Sequence, residues 1–332
     1  MSSADPTGPV PARPRTGVRR RMRVRARLRM RLRARLRTRL RARLRLRVAR
    51  RARQIFVRNA IAAFGGISAV LQFVGQLFPQ SFPDPAPVTA ASVAACVLWG
   101  IGRARPVTRV RQEFRRPDMT VVVEEGDLFE QAAHLVIGFT DTFDTASEGG
   151  LVINEASVQG QLLARRYDGD LPRLDAELAA ALGAVTPVAR EDPARKPLGK
   201  LDRYPIGTVA VLGARPRLTF AAAYSRIGND YVAASSVEDL WFSLNRLWDT
   251  VSRYARPEAV AMPLVGSGLS RLDYLDQDSL LRLILMSFIA RSREGAVCRE
   301  LRVVVRAADL ERVNMPEVAA FLQTLASGVE RA

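Results

Sequence analysis

The chain has 332 residues, 51 basic against 33 acidic side chains, one histidine, two cysteines and a formal net charge of +18. That length allows two domains with a real apolar core. A single histidine excludes multi-histidine metal centres. Cys96 and Cys298, far apart and in no C-x-x-C pair, argue against a zinc framework or a disulfide scaffold.

The charge is not evenly spread. Residues 1–53 hold 21 arginines, no lysine and one acid, Asp5, which leaves 30 basic and 32 acidic residues in 54–332. The body is nearly neutral, and the excess charge belongs to a low-complexity tail, RRRMRVRARLRMRLRARLRTRLRARLRLRVARRAR. Mutual repulsion favours an extended, solvated tail. Such arginines attract anionic lipid head groups, at about 1 kcal/mol each near the surface. No aromatic residue interrupts the run to stack on bases, which weighs against nucleic acid as the partner. A start at Met22 or Met30 would remove part of the tail.

Asn59 to Pro83 carries no charge, and Ile61–Phe78 at about 1.5 Å per residue nearly crosses a bilayer core of roughly 30 Å. A second uncharged stretch covers Pro85–Gly102. Arg50, Arg51, Arg53 and Arg58 precede the pair; Arg103, Arg105, Arg109 and Arg111 follow it. The positive-inside rule then predicts a two-helix transmembrane hairpin in the inner membrane, multi-pass, with both termini cytoplasmic. A signal peptide and a pair of buried core helices are the rivals. The basic flank after the second stretch speaks against the first of them. Gly65, Ser68, Gln72 and Gln76 share one helical face suited to helix–helix contact or a wet lumen. The expected organisation is a tail over 1–53, a hairpin over 54–103, a basic cytoplasmic linker over 104–118 and a ligand-sensing domain over 119–328.

From Met119 the pattern becomes an α/β alternation. TVVVEE and HLVIGF read as strands, VQGQLLARR and PRLDAELAAALG as helices, GTVAVL and LTFAAAYS as strands. Ser236 with Asp239 forms a capping box opening a helix whose Leu240, Trp241, Leu244, Leu247, Trp248 and Val251 fall on one stripe. AVAMPL is a strand, DSLLRLILMSFIARSRE a helix, ELRVVVRA a strand and PEVAAFLQTLAS a last helix. This order predicts a largely parallel sheet covered on both faces, with ligands beyond the carboxyl ends of the strands. His134 reads as a packed strand-end residue beside Leu135.

Two loops after strands could carry chemistry. Asp127, after Gly126, could accept hydrogen bonds from an amino group. Gly266-Ser267-Gly268 offers bare backbone N–H groups to a phosphate, with Arg271 in support. The stretch is neither G-x-G-x-x-G nor a Walker sequence, so a dinucleotide fingerprint and a P-loop ATPase are both unsupported.

Taken in order, the strand ending in "GD" plus an aliphatic residue, "YPIGTVAVL…LTFAAAYS", a long helix, "strand-P-aliphatic-x-G-S-G" and a final α-β-α layout resemble a macro domain over about residues 119–325. The resemblance implies a three-layer α/β/α sandwich with a mixed, largely parallel sheet. It further implies that Asp127 recognises the adenine amino group, that Gly266, Ser267, Gly268 and Leu269 wrap the diphosphate and distal ribose, and that Leu128, Thr140, Asp141, Pro263, Val265, Ser270 and Arg271 also belong to the ligand-binding residues. Thr140 and Asp141 fall in the stretch after the second strand. ADP-ribosyl hydrolases of this fold carry N-A-A-N there, followed by a triple glycine. Here the stretch reads GFTDTFDT, and only Gly149-Gly150 hints at the glycines. With two apolar stretches ahead of it, the chain resembles the macro-type effectors of Thoeris antiphage defence. That resemblance implies a non-enzymatic sensor, without cofactor or metal, for an ADP-ribose-derived signal such as histidine-ADP-ribose. A partner TIR-domain, NAD-consuming enzyme would make the signal, and the hairpins would assemble as a homo-oligomer in membrane lipid and damage the membrane. The alternatives are a membrane-tethered ADP-ribosyl hydrolase or a simple ADP-ribose reader.

Overall fold

The computed structural model describes residues 57, 61–74, 76–77, 85–103, 107–146, 152–266 and 275–327. The chain divides into two compact units, Met1–Pro106 and Val107–Ala332.

In the first unit residues 61–74 are helical, as is α1 (Pro85–Arg103). Ile61, Phe64, Val70, Phe73, Leu98 and Trp99 are each more than half exposed. Among the described residues no helix is long and apolar enough to cross a membrane. The expected hairpin is thus not shown. Its first stretch runs partly outside the described residues, and the tail over 1–53 lies wholly outside them.

The second unit begins earlier than the α/β pattern suggests. β1 (Arg109–Arg115) lies in the stretch read as linker, 104–118, and pairs antiparallel with β2 (Asp118–Glu125) along its whole length. Only Val110 and Phe114 of RVRQEFR face the core, while Arg109, Arg111 and Arg115 face water. A strand with two apolar positions among arginines has the composition of a linker. Its alternation, period two, is the signal of an edge strand.

After β2 the chain makes a 3-10 turn (Leu128–Glu130), β3 (His134–Thr140), α2 (Val158–Arg166) and α3 (Leu171–Leu182). A small antiparallel ribbon of β4 (Ala189–Arg190) and β5 (Asp202–Arg203) follows. Then come β6 (Val209–Leu212), β7 (Thr219–Ile227), β8 (Ala233–Ala234), α4 (Val237–Tyr254) and β9 (Ala259–Pro263). The unit closes with α5 (Gln277–Glu294), β10 (Glu300–Val305), α6 (Ala307–Leu310) and α7 (Met315–Ser327). The main sheet has the order β1-β2-β10-β9-β3-β7-β6, with β8 added beside β7. Strands β2, β10, β9, β3 and β7 run parallel, and β1, β6 and β8 pair antiparallel. This is the mixed, largely parallel sheet expected.

Side chains of each central strand divide between two cores. On one face Val121, Val123, Val136, Phe220 and Met262 pack with Leu244, Trp248, Leu281, Phe288 and Leu322 from α4, α5 and α7. On the other, Leu135, Ile137, Phe139, Ala221 and Ala223 pack with Leu162, Leu174 and Leu178 from α2 and α3. Strands buried on both faces read as continuous apolar runs, as VVV and VAM do here. Ser236 caps α4 by accepting from the Asp239 amide at 3.0 Å, whereas the Asp239 carboxylate pairs with Arg226. One member of the predicted stripe, Trp241, is exposed.

Candidate functional site

The loops singled out in the sequence each follow the carboxyl end of a parallel strand. Asp127 lies two residues beyond β2, and Gly266 three beyond β9. β10 runs between those two strands in the sheet. Thr140 is the last residue of β3, on the other side of β9.

Asp127 caps the 3-10 turn: its Oδ1 accepts from the Phe129 amide at 2.9 Å. Its Oδ2 accepts from Arg165 Nη1, a side chain supplied by the last turn of α2. The same guanidinium lies over the Phe129 ring, 5.1 Å from its centroid. Partial burial raises the Asp127 carboxyl, but the Arg165 and Phe129 hydrogen bonds outweigh it and leave the pKa below the ordinary carboxylate value. Leu128, the next residue, is buried in the core beside α2 and α3.

Across β10, Pro263 ends β9, Leu264 and Val265 are buried, and Gly266 adopts φ +86. That left-handed backbone suits glycine, and it can turn successive N–H groups toward one concavity. Ser267, Gly268, Leu269, Ser270 and Arg271 lie outside the described residues, as do Gly149 and Gly150.

The stretch after β3 is arranged differently from a loop open to ligand. Asp141 is 4% exposed. Its Oδ1 accepts from the Ile227 amide at 3.0 Å and its Oδ2 from Arg203 at 2.6 Å. Phe143, fully buried at φ 50, stacks on Phe139 and meets Tyr204 edge-on. Asp144 accepts from Thr142 Oγ1 at 2.5 Å, from Lys196 Nζ at 2.8 Å and from the Lys200 amide. Thr145 donates to Asp175 at 2.5 Å, and Lys200 pairs with the same carboxylate at 2.7 Å. Lys196 to Arg203 therefore form a strap that holds the loop down. A left-handed phenylalanine persists because surrounding contacts over-determine it. Both carboxylates of the loop are consumed in holding the fold, and Thr140 alone of the expected pair stays half-buried at the strand end.

His134 starts β3, at the opposite end of the sheet. Its Nδ1 accepts from the Leu218 amide at 3.0 Å, so the ring proton sits on Nε2, which donates to Glu258. It is the packed strand-end residue expected. Among the described residues no group of three or more His, Cys, Asp or Glu is placed to hold a metal ion.

Arg165, Lys196 and Arg203 were not marked by sequence reasoning. For Lys196 a signal existed. Lys196 and Lys200 are the only lysines in a chain that otherwise uses arginine for every cation. The compact Lys196 ammonium, with three rotatable donors on a flexible stem, donates to both the Asp144 carboxylate and the Lys200 carbonyl.

Comparison with known proteins adds the following. The family model described as "Thoeris protein ThsA, Macro domain" matches residues 121–306. A Thoeris protein ThsA from Bacillus amyloliquefaciens (strain Y2) is 23% identical over 209 residues, covering 60% of this chain and 67% of the relative. Among solved structures, a mutant macrodomain of Oceanobacillus iheyensis aligns with a TM-score of 0.44 at 12% identity, covering 66% of this chain and 100% of that one. The Oceanobacillus iheyensis macrodomain with ADP aligns with a TM-score of 0.39 at 10% identity, covering 65% and 97%. The chain belongs to the family of Thoeris ThsA macro domains.

Proposed function

From that membership, we propose that the second unit is the sensor of a membrane-bound antiphage defence effector and binds an ADP-ribose-derived nucleotide, such as histidine-ADP-ribose, made by a partner TIR-domain enzyme. The observation that carries the reading is the placement of Asp127 and Gly266 beyond the carboxyl ends of β2 and β9, on either side of β10, within the span that matches the family. A carboxylate suits the adenine amino group, and a left-handed glycine opening the sequence Gly-Ser-Gly suits a diphosphate. The ligand would run from Asp127, past Leu128, to Pro263, Val265 and the 266–271 loop, with its distal end toward Thr140.

The reading is of a binder and not a catalyst. A hydrolase needs a polar group positioned on water near the distal ribose. Here Asp141 and Asp144, the carboxylates nearest in sequence to that end, are buried and hydrogen-bonded to Arg203, Lys196 and backbone amides. Membrane attachment is supported by the first unit, where large apolar side chains stand in contact with solvent rather than with a core. Signal binding would favour an assembled state of several chains, since a ligand shifts an equilibrium only by its differential affinity.

Calorimetry on the full-length protein with ADP-ribose tests the sensor reading. Asp127→Ala should weaken binding roughly tenfold or more, the worth of a hydrogen bond to a charged acceptor of about 1.5–3 kcal/mol. Undiminished binding would place the ligand elsewhere. Release of ADP-ribose from an ADP-ribosylated peptide over many turnovers would favour the hydrolase alternative.

A further inference from the structure

Arg165 has no part in the reading above, yet it sits on the carboxylate that the reading depends on. Its side chain and that of Asp127 are 36% and 37% exposed, so a ligand can reach both. The guanidinium is held on two sides, by the Asp127 Oδ2 and by the face of Phe129 at 5.1 Å. A guanidinium has five donors and an ionised carboxylate about four acceptor positions. Here Asp127 uses one position on the Phe129 amide and one on Arg165. Both groups therefore keep capacity for a further partner while paired. Side by side they present an acceptor and a donor to whatever lies beyond β2.

We propose that Arg165 and Asp127 read the base of the bound nucleotide as a pair, Asp127 accepting from the exocyclic amine of adenine and Arg165 donating to the ring nitrogen beside it. Adenine carries such a donor next to an acceptor on either edge, as N6–H with N7 or with N1. A base with a carbonyl at that position would turn its oxygen toward the Asp127 carboxylate and be rejected. The fork of arginine suits the task because it can hold a carboxylate and a ring nitrogen at once in one plane. The inference rests on the adenine-nucleotide reading of the preceding subsection and assigns its specificity.

The test is a chemical double-mutant cycle on the full-length protein, by calorimetry with ADP, 7-deaza-ADP and 1-deaza-ADP. Arg165→Leu should weaken ADP binding about tenfold, as expected for a hydrogen bond from a charged donor. One of the two deaza analogues should lose a similar factor on the wild type and nothing further on Arg165→Leu. Such non-additivity marks direct contact. A residue that merely steadies Asp127 would weaken all three ligands by the same factor, which overturns the proposal, as does unchanged ADP binding by the variant. Arg165→Lys keeps the charge without the fork and should show the same cycle if the leucine variant fails to fold. Wild-type protein that binds neither ADP nor ADP-ribose removes the adenine-nucleotide reading itself, and this inference with it.

Discussion

Asp144→Ala should be among the most damaging single changes in the second unit. Asp144 is 1% exposed and Lys196 is fully buried, with Nζ and Oδ2 at 2.8 Å. Removing the carboxylate leaves the ammonium with the Lys200 carbonyl as its remaining partner and frees the Thr142 hydroxyl and Lys200 amide. Breaking a buried pair from one side costs about 3–5 kcal/mol, because an uncompensated charge stays behind. For a unit of this size each kcal/mol moves the midpoint by about 2–4 °C, so the melting temperature should fall by roughly 6–20 °C. Lys196→Met should cost a similar amount. The double variant Asp144→Ala/Lys196→Met should recover much of the loss, since no buried charge remains. Thermal unfolding followed by circular dichroism measures all three. The reasoning fails if Asp144→Ala melts within about 2 °C of the wild type, or if the two single losses simply add.

Other expectations follow from the same geometry. His134→Ala strands the buried Leu218 amide and should lower stability by about 1–3 kcal/mol, seen as a lower urea midpoint at unchanged slope; ligand affinity should hold, because His134 lies at the far end of the sheet. The Asp127 carboxyl has a folded pKa depressed below its ordinary value, so its contribution to stability is present above the unfolded pKa and is lost as pH falls through the folded one. Arg165→Leu should move that loss to higher pH, and carboxyl-carbon NMR of Asp127 would show a rising midpoint; a titration unmoved by the variant contradicts the ion pair. Burial pushes the Cys298 thiol up to about 12. It should therefore resist alkylation at pH 8 in the folded protein and react only on unfolding, and rapid native labelling would contradict its burial.

Much of the architecture was legible because period and burial coincide. β3 alternates Leu135, Ile137 and Phe139 against Val136, and β7 alternates Ala221 and Ala223 against Phe220 and Ala222, so a two-faced sheet is written in the strands themselves. β1 was not legible, because an edge strand needs only Val110 and Phe114 and can spend its other positions on arginine, glutamine and glutamate. β4 and β5 were missed for a related reason. Each is two residues long, and the ribbon exists to carry Arg203 to Asp141, a contact across 62 positions that no local pattern announces.

The same distinction separates the two halves of the candidate site. A glycine after a strand is a local signal: Gly266 is needed where it stands because its φ is positive. The carboxylates after β2 and β3 are alike in sequence, each just beyond a strand, yet their fates differ. Asp127 meets Arg165 at a surface where both remain about one-third exposed, so its partner can be shared with a ligand. Asp141 and Asp144 meet Arg203 and Lys196 in the interior, where sharing would expose a buried charge. What decides is the depth of the cation, and the cation comes from another element in each case. Asp141 is expected to contact ligand because the macro-domain resemblance places it in the stretch after the second strand. Its neighbours in space make it a support for the loop, so Asp141→Asn should cost the unit stability before it costs any ligand contact. A melting temperature unchanged by that substitution, together with lost ADP-ribose binding, would return Asp141 to the site.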